Sequence, residues 1–363
     1  MMRKLLLIAA WVAMGLAAMS AQSLMMPRDR VLSSGIIDAE ASNAMTHVAG
    51  DTVNRVPLDE RPHPDRVRVG IAWQPSSDNY HRAMLAISAA GGEPVLIEQM
   101  RPAGFEYHDL ELKPEYVDEM GVLLPQYANI VKRDTYHGTA IPAQLQEVQA
   151  VVFLGGGDIS STLFATPEPW HNIIDDSPAN ATRDVSEYLT MAYCLDHDLP
   201  ILALCRGMQM LGVVSGAPLI QDLGKYFDEM GISYHFLHRE QRDAQGNRHY
   251  TPHDVIVTDR NSLLHSIVRQ DTIHDVPSWH HQVVGDVSGT PLRVTAITPT
   301  DGVDIIEAIE RIDKPFALGV QYHPEEAARK HIEHHIDAQR FLSLDNAVAY
   351  FKALIAAAMR HAP

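Results

Sequence analysis

Cysteine is scarce in this chain of 363 residues: only Cys194 and Cys205 occur, so no disulfide framework exists. Positive charge is short as well. The 29 Lys and Arg stand against 46 Asp and Glu, a formal net charge of −17, and no Lys/Arg-rich tract occurs. That removes the electrostatic footprint of a nucleic-acid binder and excludes nucleic acid as a partner. The apolar stretch near the start, Leu5 to Ala18, is short for a membrane span, and no Cys follows it that could carry a lipid. Local metal-ligand spacing is also missing. The 20 His are scattered, and those of the segment His235, His238, His249 and His253 do not fall at zinc-type intervals, so no metal site is expected. His331, His334 and His335 fall at helical spacing and read as a solvated face.

What is present divides the chain into three parts. Met1 to Ala21 has a basic start (Arg3, Lys4), an apolar centre and small residues at Ala18, Ser20 and Ala21, the succession of a secretory signal peptide. A periplasmic or secreted protein is therefore expected, with no stable membrane association after cleavage. Residues 22–66 end in the proline-rich run Pro57-Leu-Asp-Glu-Arg-Pro-His-Pro-Asp65, which sustains neither a helix nor an inner strand and reads as an extension. Residues 67–363 carry the periodicity of one α/β domain.

In that domain strands are predicted at Val67–Trp73, Pro94–Ile97, Val148–Leu154, Ile201–Leu204, Leu292–Ile297, Val303–Ile309 and Phe316–Gln321. Helices are predicted at Tyr80–Ala90, Asp184–Asp196 and Ala347–Met359. Residues 101–146 exceed what a crossover needs, and either a lid or solvated padding fits them. Asp184 is predicted to cap its helix, and residues 223–258 to be a β-rich excursion.

The domain is organised around Cys205. The apolar run Ile201–Leu204 has the continuity of a buried parallel strand, and after Cys205 the period changes, with Met208, Leu211 and Ser215 at helical spacing. Cys205 thus stands on a strand-to-helix corner, flanked at two residues by Ala203 and Gly207 as a nucleophile elbow requires. The helix dipole there favours thiolate, and the Arg206 backbone N–H would face a developing oxyanion. A bridge to Cys194 would silence that nucleophile. Near the other end, Phe316-Ala-Leu-Gly-Val-Gln-Tyr-His-Pro-Glu325 is a second apolar strand that ends in an imidazole and a carboxylate. His323 would take the thiol proton while Glu325 fixes its tautomer, the logic of a triad.

Cys205-Arg-Gly-Met-Gln209 and His323-Pro-Glu325 resemble the class I glutamine amidotransferase-like superfamily, within it the peptidase C26 type of gamma-glutamyl hydrolase. The resemblance runs over residues 67 to 360 and implies a doubly wound α/β fold, with a mainly parallel central sheet and antiparallel additions. It implies that Gly156, or alternatively Gly157, in Gly155-Gly-Gly-Asp158 supplies the second oxyanion-hole N–H. It also implies that Gln209 and the segment Ser278-Trp-His280-His-Gln282 lie near the substrate, with Ser278, His280 and Gln282 as its substrate-binding members. The implied reaction is hydrolysis of a small gamma-glutamyl amide with no cofactor; a homodimer is left open. A glutaminase unit of an amidotransferase and a non-catalytic binding protein are the rival readings.

Overall fold

The computed structural model describes residues 66–75, 77–134, 136–171 and 179–361, all within the compact unit Leu58–Pro363. The expected leader, and the extension up to residue 65, lie outside the described residues. Among the described residues, no helix is long and apolar enough to cross a membrane.

A nine-stranded sheet carries the domain. Its strands, in chain order, are β1 (Arg68–Ile71), β2 (Glu93–Leu96), β3 (Ala150–Phe153), β4 (Ile201–Leu204), β5 (Thr251–Val257), β6 (Thr272–Ser278), β7 (Leu292–Thr300), β8 (Val303–Arg311) and β9 (Ala317–Val320). Their spatial order is β2-β1-β3-β4-β9-β8-β7-β5-β6. The first five run parallel, and β8, β7, β5 and β6 continue the sheet antiparallel. The fold is α/β with a parallel core and an antiparallel extension, as the resemblance implied.

Alternation along the inner strands sends side chains to two cores. Ile201 and Ala203 of β4, with Val151 and Phe153 of β3, enter one apolar cluster, while Leu202, Leu204, Ala150 and Val152 enter the other. Both faces are therefore buried, which is why these strands read as continuous apolar runs. The helices α1 (Ser77–Ala89), α4 (Pro324–Ile332) and α5 (Leu344–His361) cover the second cluster through residues such as Ile87, Ala327 and Phe351. On the first cluster lie α2 (Ala181–Asp196) and α3 (Arg206–Val214), through Val185, Leu189, Met208 and Leu211.

Three sequence expectations change. The helix expected from Asp184 begins at Ala181, and its cap is Asn180, whose side chain accepts from the Arg183 N–H. Asp184 is buried beneath, too far into the first turn to cap. Residues 223–258 are not β-rich: Leu223–Glu229 is helical, and a strand appears only at Thr251. The alternating residues there lack a partner strand, which no local pattern reveals. Residues 101–146 include a two-stranded hairpin and two helices, and their Phe105, Leu112, Tyr116, Leu123 and Ile141 join the core around α2. None of the described members of that stretch lines the cleft described next. They are an added core layer, neither lid nor padding.

Candidate active site

The site lies at the carboxyl ends of three adjacent parallel strands, β3, β4 and β9, where ligands of open α/β sheets bind. Cys205 follows β4 directly. Its φ of 50° and ψ of −108° put a non-glycine residue in the left-handed half of backbone space, a strained conformation that persists only when its surroundings fix it. Here the Cys205 N–H donates to Val320 O at 2.8 Å and the Cys205 carbonyl accepts from Gln209 N at 3.2 Å, so the corner is held on both sides. Gly207 lets the helix dock, because a Cβ at that position would stand 2.6 Å from the backbone oxygen of Phe153. Gly207→Ala is accordingly expected to cost about 1–3 kcal/mol in urea unfolding; an unchanged midpoint would mean that α3 can slide off β3 freely.

His323 caps α4 at the end of β9 and its N–H donates to Pro277 O at 2.9 Å. Its Nδ1–H donates to Glu325 Oε1 at 2.7 Å, and Nε2 is left without a hydrogen bond on the side of the thiol. Burial works to lower the basicity of this imidazole, but Tyr250, Cys205 and Glu325 together hold it well above the ordinary value. The room for the ring comes from Gly155, where a Cβ would lie 2.6 Å from His323 Cε1. Cys194, in contrast, is fully buried in α2, and burial pushes its thiol up. The two cysteines are free thiols.

Beneath the glycine turn runs a buried charge network that sequence reasoning did not find. Arg206 pairs with Asp184 and Glu187, Arg183 pairs with Glu187 at 2.7 Å, and Asp184 also accepts from the Ser160 N–H and hydroxyl at 2.9 and 2.6 Å. Arg183 in turn donates to Leu154 O at 2.9 Å, and a Cβ on Gly156 would fall 1.9 Å from its Nη1. The network locks the glycine turn and the elbow helix into one register. Such buried ion pairs contribute little net stability but strongly penalise any rearrangement that separates them. In the sequence Asp184 reads only as a helix cap; Glu187, one turn past Arg183, is the local signal of the network.

The cleft over Cys205 has a volume of about 260 Å³ and is lined among others by Asn79, Arg82, Gly155, Gly156, Gly157, Gln209, Tyr250, Gln282 and His323. Gln282 is buried there with neither side-chain amide atom hydrogen-bonded, while Gln209 Nε2 donates to the Gln282 backbone carbonyl at 2.9 Å. Ser278 is absent from the lining: its hydroxyl donates to His238 O at 2.9 Å. His280 touches the cleft, but its Nδ1 lies 3.0 Å from Gln282 O and its Nε2 turns toward Glu307. That turn brings His238, His253, His280 and Glu307 together, a group that local spacing could not indicate because its members come from separate segments.

At the rim, His281 donates through Nε2 to Asp158 Oδ1 at 2.9 Å and through Nδ1 to Asp222 Oδ2 at 2.8 Å. Burial lowers its pKa, but the two carboxylates outweigh burial and raise it to about 9 from 6.5. Asp158, bonded also to His171, falls to about 2 from 3.8. A raised folded pKa stabilises fully below the unfolded value, and that stability fades as pH climbs from 6.5 to about 9; Asp158 keeps its share down to about pH 4. Unfolding measured against pH should therefore show up to about 3 kcal/mol more loss between pH 6.5 and 9 in the wild type than in His281→Asn. Equal slopes would place the titration elsewhere.

The peptidase C26 family model matches residues 126–325, more than half of the chain. This chain belongs to the peptidase C26 family. The family, with its gamma-glutamyl hydrolase relatives, supports amide hydrolysis by a glutamine amidotransferase-like enzyme. The chain is 33% identical over 184 residues to the protein NtpR of Enterococcus hirae, covering 50% of this chain and 69% of that one. It is likewise 33% identical over 151 residues to the gamma-glutamyl-gamma-aminobutyrate hydrolase PuuD of Escherichia coli strain K12, covering 42% of this chain and 56% of that relative. The chain thus spans little more than half the length of that hydrolase. Among solved structures, the glutaminase domain of Trypanosoma brucei CTPS with bound acivicin aligns over 81% of this chain and 94% of that one, at 16% identity and a TM-score of 0.45.

Proposed function

We propose that this C26 enzyme cleaves gamma-glutamyl amide bonds through a thioester on Cys205. The observation that carries the reading is the strained backbone of Cys205 beside an imidazole whose other nitrogen is bound to Glu325 at 2.7 Å. With the substrate carbonyl over Sγ, His323 Nε2 takes the thiol proton as sulfur attacks the carbon. The oxyanion meets the backbone N–H of Arg206 and of Gly156. Collapse breaks the C–N bond, and His323 gives its proton to the leaving amine. A water then loses its proton to His323, attacks the thioester, and releases glutamate with the thiol restored. Throughout, Glu325 stays ionised and orients the ring.

The amide of Gln282, buried without partners in the lining, is the group we assign to the polar end of the glutamyl moiety. Gln209 positions that residue through the 2.9 Å bond to the Gln282 backbone carbonyl, and Ser278 and His280 act as positioning residues of the same loop. The gamma-glutamyl activity in the printed name of the Escherichia coli relative supports this substrate class. Release of aniline from a gamma-glutamyl anilide by the isolated protein tests it. Activity on free glutamine alone would turn the reading to a glutaminase, and activity on neither to a binding protein.

A further inference from the structure

Behind the loop 278–282, on the antiparallel half of the sheet, four side chains point their electron pairs at one another. His238 comes from the irregular stretch before β5, His253 from β5, His280 from just past β6 and Glu307 from β8. All are buried, with exposures of 0, 5, 3 and 0%. One ligand atom of each lies within 4.8 Å of the others. His238 Nδ1 is 3.0 Å from Glu307 Oε1, His280 Nε2 is 3.6 Å and His253 Nε2 is 3.8 Å from it. None of these three nitrogens, and neither Glu307 oxygen, has a hydrogen-bond partner. Five unsatisfied atoms in one buried spot demand an explanation.

The opposite edge of each ring says which nitrogen carries hydrogen. His280 Nδ1 lies 3.0 Å from Gln282 O and His253 Nδ1 3.2 Å from Asp254 O, and a carbonyl only accepts, so both Nδ1 atoms are protonated. His238 Nε2 lies 2.7 Å from Thr300 Oγ1, which spends its own proton on Thr298 O at 3.2 Å and so accepts from the ring. The three inward nitrogens are therefore bare, facing a carboxylate that in its ionised form also only accepts. A proton on one imidazole would relieve one contact and leave the other lone pairs opposed. A single cation at the centre relieves all of them.

We propose that His238, His253, His280 and Glu307 bind one divalent first-row transition ion, with zinc the ion that the set suits best. Three imidazoles with one carboxylate form a nitrogen-rich, four-coordinate set of the kind zinc takes, whereas calcium and magnesium seek oxygen. Bonds of about 2.0–2.1 Å in a tetrahedron would set donors roughly 3.3 Å apart, a value that the 3.0, 3.6 and 3.8 Å separations from Glu307 Oε1 bracket. Each ring already has the outer partner that orients metal-bound histidine. Four protein donors leave no open position, so the role is structural. The ion ties His238 and the stretch around it to the loop that carries Trp279, whose carbonyl lies 3.9 Å from Cys205 Sγ, and Gln282.

Elemental analysis of the full chain, as purified and after refolding with added zinc, is expected to give about one ion per chain. X-ray absorption should give a first shell of nitrogen and oxygen with imidazole outer scattering and no sulfur, which separates this site from Cys205. Thr300→Val, which removes only the outer acceptor of His238, should weaken zinc about 10- to 100-fold in chelator competition. The double variant His253→Ala with Glu307→Gln should lose the ion; if it does not fold, the wild-type measurements and Thr300→Val decide. Less than about one-tenth of an ion per chain in both wild-type preparations, sulfur in the first shell, or a folded double variant that keeps its ion would overturn the proposal.

Discussion

Cys205→Ala is expected to abolish the covalent adduct and to reduce turnover by about 10⁴-fold or more, the scale on which removing a triad nucleophile acts. Cys194→Ala is expected to leave both nearly unchanged. The contrast follows from position. Cys205 has a positive φ, lines the cleft and stands beside His323, whereas Cys194 is sealed in α2 where burial disfavours its thiolate. Quenching the reaction with a slow gamma-glutamyl substrate and mapping the peptides by mass spectrometry locates the acyl group. An acylated Cys194, or turnover that survives Cys205→Ala, would refute the elbow assignment. Loss of a methyl-sized group at Cys194 should cost only stability, on the order of 1 kcal/mol.

His323→Ala should come next in severity, and Glu325→Gln below it, at roughly 10² to 10⁴-fold in kcat. Removing the imidazole takes away the proton acceptor itself. Glu325→Gln keeps the ring but replaces an ionic acceptor for Nδ1–H by an amide that can present either a donor or an acceptor, so the productive tautomer is no longer enforced. It also removes one of the charges that hold His323 above its ordinary value, so the acidic limb of the kcat/KM profile should move to lower pH. A wild-type rate and an unmoved profile in Glu325→Gln would reduce Glu325 to a first-turn carboxylate of α4.

Much of this was legible in the sequence because it is local. Ile201–Leu204 and Phe316–Gln321 are buried on both faces, so their apolar continuity marks them as inner strands whatever surrounds them. The residues that follow a parallel strand necessarily emerge at its carboxyl end, so the motifs place Cys205, His323 and Glu325 at neighbouring strand ends. The Gly207 corner is also local, since only a residue without a side chain tolerates Phe153 O so close. Sequence thus determined the parallel core and the strand-to-helix corner at Cys205.

Tertiary structure alone decided the rest, and in each case the reason is distance along the chain. Asp184 looks like a helix cap until the docking of α3 presents Arg206 to it, because an ion pair between two helices leaves no local period. The Tyr-rich stretch 101–146 looked like an insertion at large, and only packing against α2 shows Phe105 and Tyr116 as core. His281 gains its positive charge from two carboxylates supplied by other segments, Asp158 and Asp222. His238, His253, His280 and Glu307 meet because antiparallel pairing lays β5 and β6 side by side while β8 turns Glu307 to the same interior point. A ligand set assembled across strands has no spacing signature; its geometry exists only once the sheet has formed.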